Sequence, residues 1–280
     1  MGECTQMKRR LRLAVLPNLI TLGNAVCGFA AIVKLATLRF GEGGVLLNPE
    51  NLVVASWLIL LAMFFDALDG KVARLTGSSS EFGGELDSLS DIISFGVAPA
   101  LLVAMSNTTF STSVLWGRVA WFFSLAFLLA VILRLARFNV ENGLEEESHV
   151  SFKGLPSPAG AGVIASLVLL GCGEVYGPFV SGGLDFSLLE GLLQVLPVVA
   201  LFLAYLMVSE LEYTHVVSVL FRSKGNFEQL VLAIFGVIFV FLVPALGLSV
   251  LFLFYTLTGP VGRLRSFLAE RADRKGFSSL

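Results

Sequence analysis

Charge nearly vanishes from eight stretches of the chain, roughly 18–38, 51–65, 92–105, 119–133, 159–172, 191–208, 228–243 and 245–259. Apolar runs of this kind predict membrane-crossing helices, although several are shorter than the ~20 residues needed to span the hydrocarbon core. The runs at 51–65 and 92–105 are therefore expected to extend into their polar flanks, which would carry neighbouring acidic residues into helix ends. Short segments rich in Gly, Ser, Thr and Asn, such as "RFGEGGVLLNPE" and "SNTTFSTSVLWGR", separate the runs. No linker, charge block or internal repeat divides the chain, so the expectation is one domain over 1–280, an all-α polytopic bundle of about eight spans. The first run follows the basic stretch "MKRRLR". It is longer than the apolar core of a signal peptide and lacks a small-residue cleavage site, and reads as a retained span.

Composition agrees: 56% of residues are hydrophobic and 14% charged, whereas about a quarter are charged in soluble domains. The chain reads as an integral membrane protein. If eight spans place both termini in the cytoplasm, all but Lys34, Arg39 and Arg118 of the 19 Lys and Arg residues fall on the cytoplasmic side. So large a bias is the positive-inside pattern. A net charge of -2 with no basic domain gives no footprint for nucleic acid. Cys4, Cys27 and Cys172 lack metal-like spacing and imply no disulfide framework. His149 and His215 have no partner motif and read as solvated loop residues. The tail, residues 261–280, is basic and amphipathic, suited to anchoring beside anionic headgroups.

One polar stretch stands apart. Residues 66–91, "DALDGKVARLTGSSSEFGGELDSLSD", hold six acids where an even spread of the chain's 21 would put about two. Asp66 and Asp69 are three apart and Asp87 and Asp91 four apart, so each pair shares a helix face. The intervening residues are enough for a half-turn that lets the pairs face each other. Four carboxylates at a membrane boundary repel unless cations neutralise them. Hard oxygen ligands suit Mg²⁺ or Mn²⁺, and four of them around two ions suit phosphoryl chemistry. Glu81 and Glu85 fit a solvated helix end. The aspartates do not, because ionisable groups near spans are costly and mark function. Gly70, Ala73, Gly83 and Gly84 would admit a large ligand or a second backbone.

Read as D-x-x-D-G-x-x-A-R, eight residues, then G-x-x-x-D-x-x-x-D, this stretch resembles the signature of the CDP-alcohol phosphatidyltransferase family. Asp66, Asp69, Gly70, Ala73, Arg74, Gly83, Asp87 and Asp91 all match. The resemblance implies a helical membrane enzyme that transfers a phosphatidyl group from a CDP-linked lipid to an alcohol and releases CMP. It further implies that Asp66, Asp69 and Asp87 ligate two divalent cations, with Asp91 as general base and as ligand of the second ion. Gly70, Arg74 and a loop hydroxyl, matched by Ser80, would contact the CDP moiety, with Ala73 and Gly83 beside them. In "LPNLITLGNAVCGF", Asn18 and Thr21 match an element that the family lays against the nucleotide. Pro17 and Asn18 equally suit the start of a helix. The chemistry agrees, since an alcohol nucleophile needs a base and a departing CMP needs its charge neutralised.

"RLARFNV" at 134–140 and "FKGLPSPAGAG" at 152–162 resemble the phosphatidylserine synthase branch of that family, implying CDP-diacylglycerol and L-serine as substrates. An amino-acid acceptor needs cations for its carboxylate, and Arg134 and Arg137, one turn apart, could supply them. Both also suit positive-inside anchoring, which is the reading for Lys153. Ser157 is a weaker candidate for substrate contact. The resemblance also implies a homodimer among membrane lipids, while the bias of Lys and Arg turns the active site toward the cytoplasm of what reads as a prokaryotic cell membrane. Two rivals are the same chemistry with glycerol 3-phosphate, choline or an inositol phosphate, and a cation-coupled transporter. The transporter suits the sequence poorly, with its carboxylates at one boundary and no repeated halves.

Overall fold

The computed structural model describes residues 2–37, 39–41, 44–46, 49–76, 81–110, 114–144, 152–172, 186–213 and 227–277. Its helices are α1 (Gly2–Ala36), α2 (Pro49–Thr76), α3 (Glu81–Asp91), α4 (Ala98–Phe110), α5 (Val114–Leu144), α6 (Ser157–Gly171), α7 (Phe186–Val208), α8 (Phe227–Leu242) and α9 (Pro244–Phe277). A π-helical segment, Ile92–Val97, joins α3 to α4. Among the described residues, six segments are long and apolar enough to cross a bilayer: Leu16–Ala36, Pro49–Leu75, Phe82–Asn107, Val114–Val140, Gly191–Val208 and Pro244–Leu264. Two of these extend into polar flanks as expected, so that Asp66 and Asp69 lie within α2, and Asp87 and Asp91 within α3.

The runs at 159–172 and 228–243 form helices of only 15 and 16 residues. At 1.5 Å per residue α6 is about 22 Å long, short of the hydrocarbon thickness. Its surroundings explain why that suffices: every residue from Ser157 to Gly171 except Pro158 is buried, and α2, α4, α7 and α9 pack around it. Small residues admit these neighbours, with Met207 of α7 filling the space beside Gly160 and the Phe252 ring of α9 that beside Gly162. Such close approach is how helices associate where apolar burial gives no driving force.

Helix α1 starts at Gly2, so Pro17 and Asn18 lie inside it rather than at its beginning. Residues 8–16 are mostly Lys, Arg, Leu and Ala, all good helix formers, and they carry the helix back past the proline. Two antiparallel ladders were not evident in the apolar pattern. One pairs β1 (Arg39–Gly41) with β2 (Gly44–Leu46), and the other pairs β3 (Phe152–Lys153) with β4 (Glu212–Tyr213). The second ties the entry of α6 to the exit of α7. Gly154 donates to the Leu211 carbonyl at 2.8 Å and Leu155 to that of Leu206 at 3.1 Å. At φ +86°, with the Met207 carbonyl where a Cβ would stand, residue 154 must be glycine.

From the end of β4, the Tyr213 side chain reaches α9. Its ring occupies the space beside Gly259, and its hydroxyl donates to the Thr256 carbonyl at 3.2 Å. Pro260 lies inside α9 and has no N–H to offer that carbonyl four residues back, so the tyrosine supplies the missing donor. Burial, with the nearby Tyr255, pushes the Tyr213 phenol up to about 12, so it remains a donor at neutral pH.

Candidate active site

The aspartates of α2 and α3 converge. Carboxylate oxygens of Asp66, Asp69 and Asp87 all lie within 4.8 Å of one another, with Asp69 buried and the other two partly so. Asp69 Oδ2 and Asp87 Oδ1 are buried and accept no hydrogen bond. Buried carboxylate oxygens without donors are costly, and three of these groups in so small a volume form a hard, all-oxygen donor set. That set fits Mg²⁺ or Mn²⁺ better than softer metals.

Asp91, one turn beyond Asp87, lies outside that triad and turns toward α1, where Asn24 Nδ2 donates to its Oδ1 at 3.1 Å. Helix α1 adds a second contact through Thr21. Its hydroxyl donates to the Pro17 carbonyl at 3.1 Å and lies within hydrogen-bonding reach of the Asp69 carboxylate. Asn18, one turn earlier, is partly buried. The π-helical segment begins directly after Asp91, and Ala98 there bonds the Ile93 carbonyl five residues back. Pro99 explains the widening. In a regular α-helix its ring would press on the carbonyl of Phe95, and the wider turn before it relieves that clash.

From the other side, α5 and α6 bring in a cation. Arg134 Nη1 donates to Ser157 Oγ at 3.1 Å, at the first turn of α6. The guanidinium interacts electrostatically with Asp91, Tyr255 and Asp66, and its Nε is buried without an acceptor. Arg137 lies one turn further along α5, partly buried. Arg74 folds back over its own helix, its Nε donating to the Gly70 carbonyl at 2.9 Å.

The small residues sort into two kinds. Among the described residues, no atom beyond the chain neighbours and the helix's own backbone lies within 4 Å of where a Cβ would stand at Gly70 or Gly84, so packing between described elements does not account for either. Gly28 is a packing residue, since a Cβ there would come within 2.7 Å of the Ser94 backbone. Ala73 and Gly83 are partly buried in α2 and α3. Ser80 and the two histidines lie outside the described residues. An apolar cleft of about 560 Å³ opens between α2 and the α8–α9 pair, lined by Trp57, Leu60, Met63, Phe64, Phe241 and Phe252 among others. It begins two residues from Asp66.

Sequence reasoning did not single out Asn24 or Tyr255. For Asn24 a signal existed: Thr21, Asn24 and Gly28 recur at helical spacing on one face of an otherwise apolar run. Tyr255 is brought to Arg134 only by the packing of α9 on α6.

The comparisons with known proteins agree with this geometry. The chain matches the CDP-alcohol phosphatidyltransferase family over residues 14–206. It is 32% identical over 247 residues to a CDP-diacylglycerol--serine O-phosphatidyltransferase of Helicobacter pylori, covering 88% of this chain and 90% of that one. A Saccharomyces cerevisiae protein of the same description is 42% identical over 159 residues, 54% of this chain and 51% of its own. The archaetidylserine synthase of Methanothermobacter thermautotrophicus is 38% identical over 167 residues, 59% and 62% of the two chains. With the family's region spanning α1 to α7 and its aspartates drawn together between α2 and α3, this chain belongs to the CDP-alcohol phosphatidyltransferase family.

Proposed function

We propose that the protein transfers the phosphatidyl group of CDP-diacylglycerol to the hydroxyl of L-serine, giving phosphatidylserine and CMP. The convergence of Asp66, Asp69 and Asp87 beside Asp91 carries the reading, and the serine acceptor is supported by the names of the relatives. Asp66, Asp69 and Asp87, with Asp91 at the second position, would hold two divalent ions, Mg²⁺ or Mn²⁺. When bound, such ions neutralise charge on the pyrophosphate.

The chain's own residues supply the rest. Asp91 accepts the proton of the serine hydroxyl as that oxygen bonds to the β-phosphorus, and the bond from the same phosphorus to the CMP oxygen breaks. Gly70 offers open space and Arg74 a cation for the CDP moiety, with Asn18, Thr21, Ala73, Gly83 and the loop hydroxyl of Ser80 completing that surface. Arg134 takes the serine carboxylate, its buried Nε being the donor left without a partner, and Arg137 adds positive charge one turn away. Acyl chains stay in the bilayer between helices, and the cleft beside Met63 and Phe64 suits one of them.

Counting α6 and α8 with the six long helices gives eight crossings and places both termini on one side. The bias of Lys and Arg makes that side, and the active site, cytoplasmic. Assembly as a homodimer belongs to the proposal through the family resemblance alone. The test is CMP release by the purified protein from CDP-diacylglycerol, with Mg²⁺ or Mn²⁺ and one acceptor at a time. Serine-dependent CMP with phosphatidylserine as product is expected. CMP with only glycerol 3-phosphate, choline or an inositol phosphate would discard serine, and no metal-dependent CMP with any acceptor would discard the reaction.

A further inference from the structure

Asn24 is fully buried in an otherwise apolar stretch of α1, where an amide is expensive unless both of its ends are used. Only one is. Nδ2 donates to Asp91 Oδ1 at 3.1 Å, while Asn24 Oδ1 is buried and accepts no hydrogen bond. In the ionised form that a base requires, the Asp91 carboxylate can only accept, and in that form the NH₂ end of the amide faces it.

The backbone around this contact is clamped. Ser94 Oγ lies 3.1 Å from the Asn24 carbonyl and 3.0 Å from that of Ser90, so one hydroxyl bridges α1 to the turn that carries Asp91. Gly28, one turn along α1, lets that helix lie directly against Ser94. Asp91 itself stands at the last α-helical position before the π-helical widening. Donor and acceptor are thus held from both helices, 67 positions apart in sequence.

We infer that Asn24 is a positioning residue for Asp91, holding one carboxylate oxygen so that the other is presented to the acceptor hydroxyl. A side chain that served only to join α1 to α3 would gain from satisfying both ends of its amide. This one leaves its acceptor bare and keeps its donor on Asp91, the one of the four clustered aspartates of α2 and α3 that lies outside the triad. The inference rests on the reading of Asp91 as base.

The test replaces Asn24 with Leu, similar in size but with no donor, and separately with Ala, which removes the amide without adding bulk. Steady-state kinetics are measured for both substrates, CDP-diacylglycerol binding by calorimetry, and thermal unfolding in detergent. Loss of a hydrogen bond that orients a catalytic group is expected to lower kcat by about 10–100-fold. KM and Kd for CDP-diacylglycerol should stay within about twofold of wild type. The inference is overturned if the folded fraction of either variant keeps wild-type kcat, or if only the unfolding temperature moves. Asp91→Asn separates the two readings: if it retains turnover, the base assignment fails. If it is inactive while Asn24→Leu is unimpaired, the positioning role alone fails.

Discussion

Removing one charge from the aspartate triad should stabilise the metal-free protein, and this sign is opposite to that of most substitutions. Asp87 faces both Asp66 and Asp69 with oxygens within 4.8 Å. At an effective dielectric constant of 20, two ionised carboxylates at that distance repel by about 3.5 kcal/mol. Asp87→Asn removes the part of these two repulsions that the crowded carboxylates have not already relieved by taking up protons. Solvent screening at the partly exposed Asp66 and Asp87 reduces the net gain to about 2 kcal/mol. In detergent with EDTA the variant should therefore unfold several degrees above wild type. With Mn²⁺ at 100 times its Kd, wild type should gain about 2.7 kcal/mol by linkage. The variant, lacking one ligand, should gain much less, so the order of unfolding temperatures should reverse. A variant less stable than wild type in both EDTA and Mn²⁺ would refute the picture of three mutually repelling carboxylates awaiting a cation.

Three further outcomes are expected. Asp91→Asn should abolish turnover, by at least about 10²-fold for loss of a general base, while CDP-diacylglycerol binding persists; loss of both together would reassign Asp91 to binding. Arg134→Ala should raise KM for serine by roughly tenfold or more, as befits a charged hydrogen bond of about 1.5–3 kcal/mol, and leave KM for CDP-diacylglycerol nearly unchanged. Equal effects on both would remove the carboxylate site. Tyr213→Phe should cost about 1–2 kcal/mol by orphaning the Thr256 carbonyl, and Pro260→Ala should cancel most of that loss by restoring a helical N–H. Additive unfolding shifts in the double variant would show that the two groups do not share that carbonyl.

Much of this architecture was legible because its signals are local. Apolar runs delimit helices, and the aspartates keep the spacing that puts each pair on one helix face. Their extension into α2 and α3 followed from the length a span requires. Other features depend on contacts between distant positions, which spacing within one segment cannot encode. Asn24 meets Asp91 only because Gly28 lets α1 close on Ser94, and Arg134 meets Ser157 across 23 positions because α6 begins beside α5. The π-helical segment had a local cause in Pro99, but its effect, a change of helix phase just after Asp91, appears only once the helix is built. The apolar pattern also did not distinguish the six long helices from the two shorter ones, because a run reads as apolar whether lipid surrounds it or, as for α6, protein does.

That enclosure has a consequence for an enzyme family whose products are the lipids around it. A helix in contact with acyl chains feels every change in bilayer thickness and must tilt or deform the membrane in response, at fractions of a kcal/mol per ångström. Helix α6 has no such contact. Mismatch falls on the surrounding helices, while the first turn of α6, with Ser157 against Arg134, keeps its depth by reference to protein alone. The end of the bundle that carries Arg134 and Ser157 is in this way referenced to an internal ruler, which a change in bilayer composition does not reset.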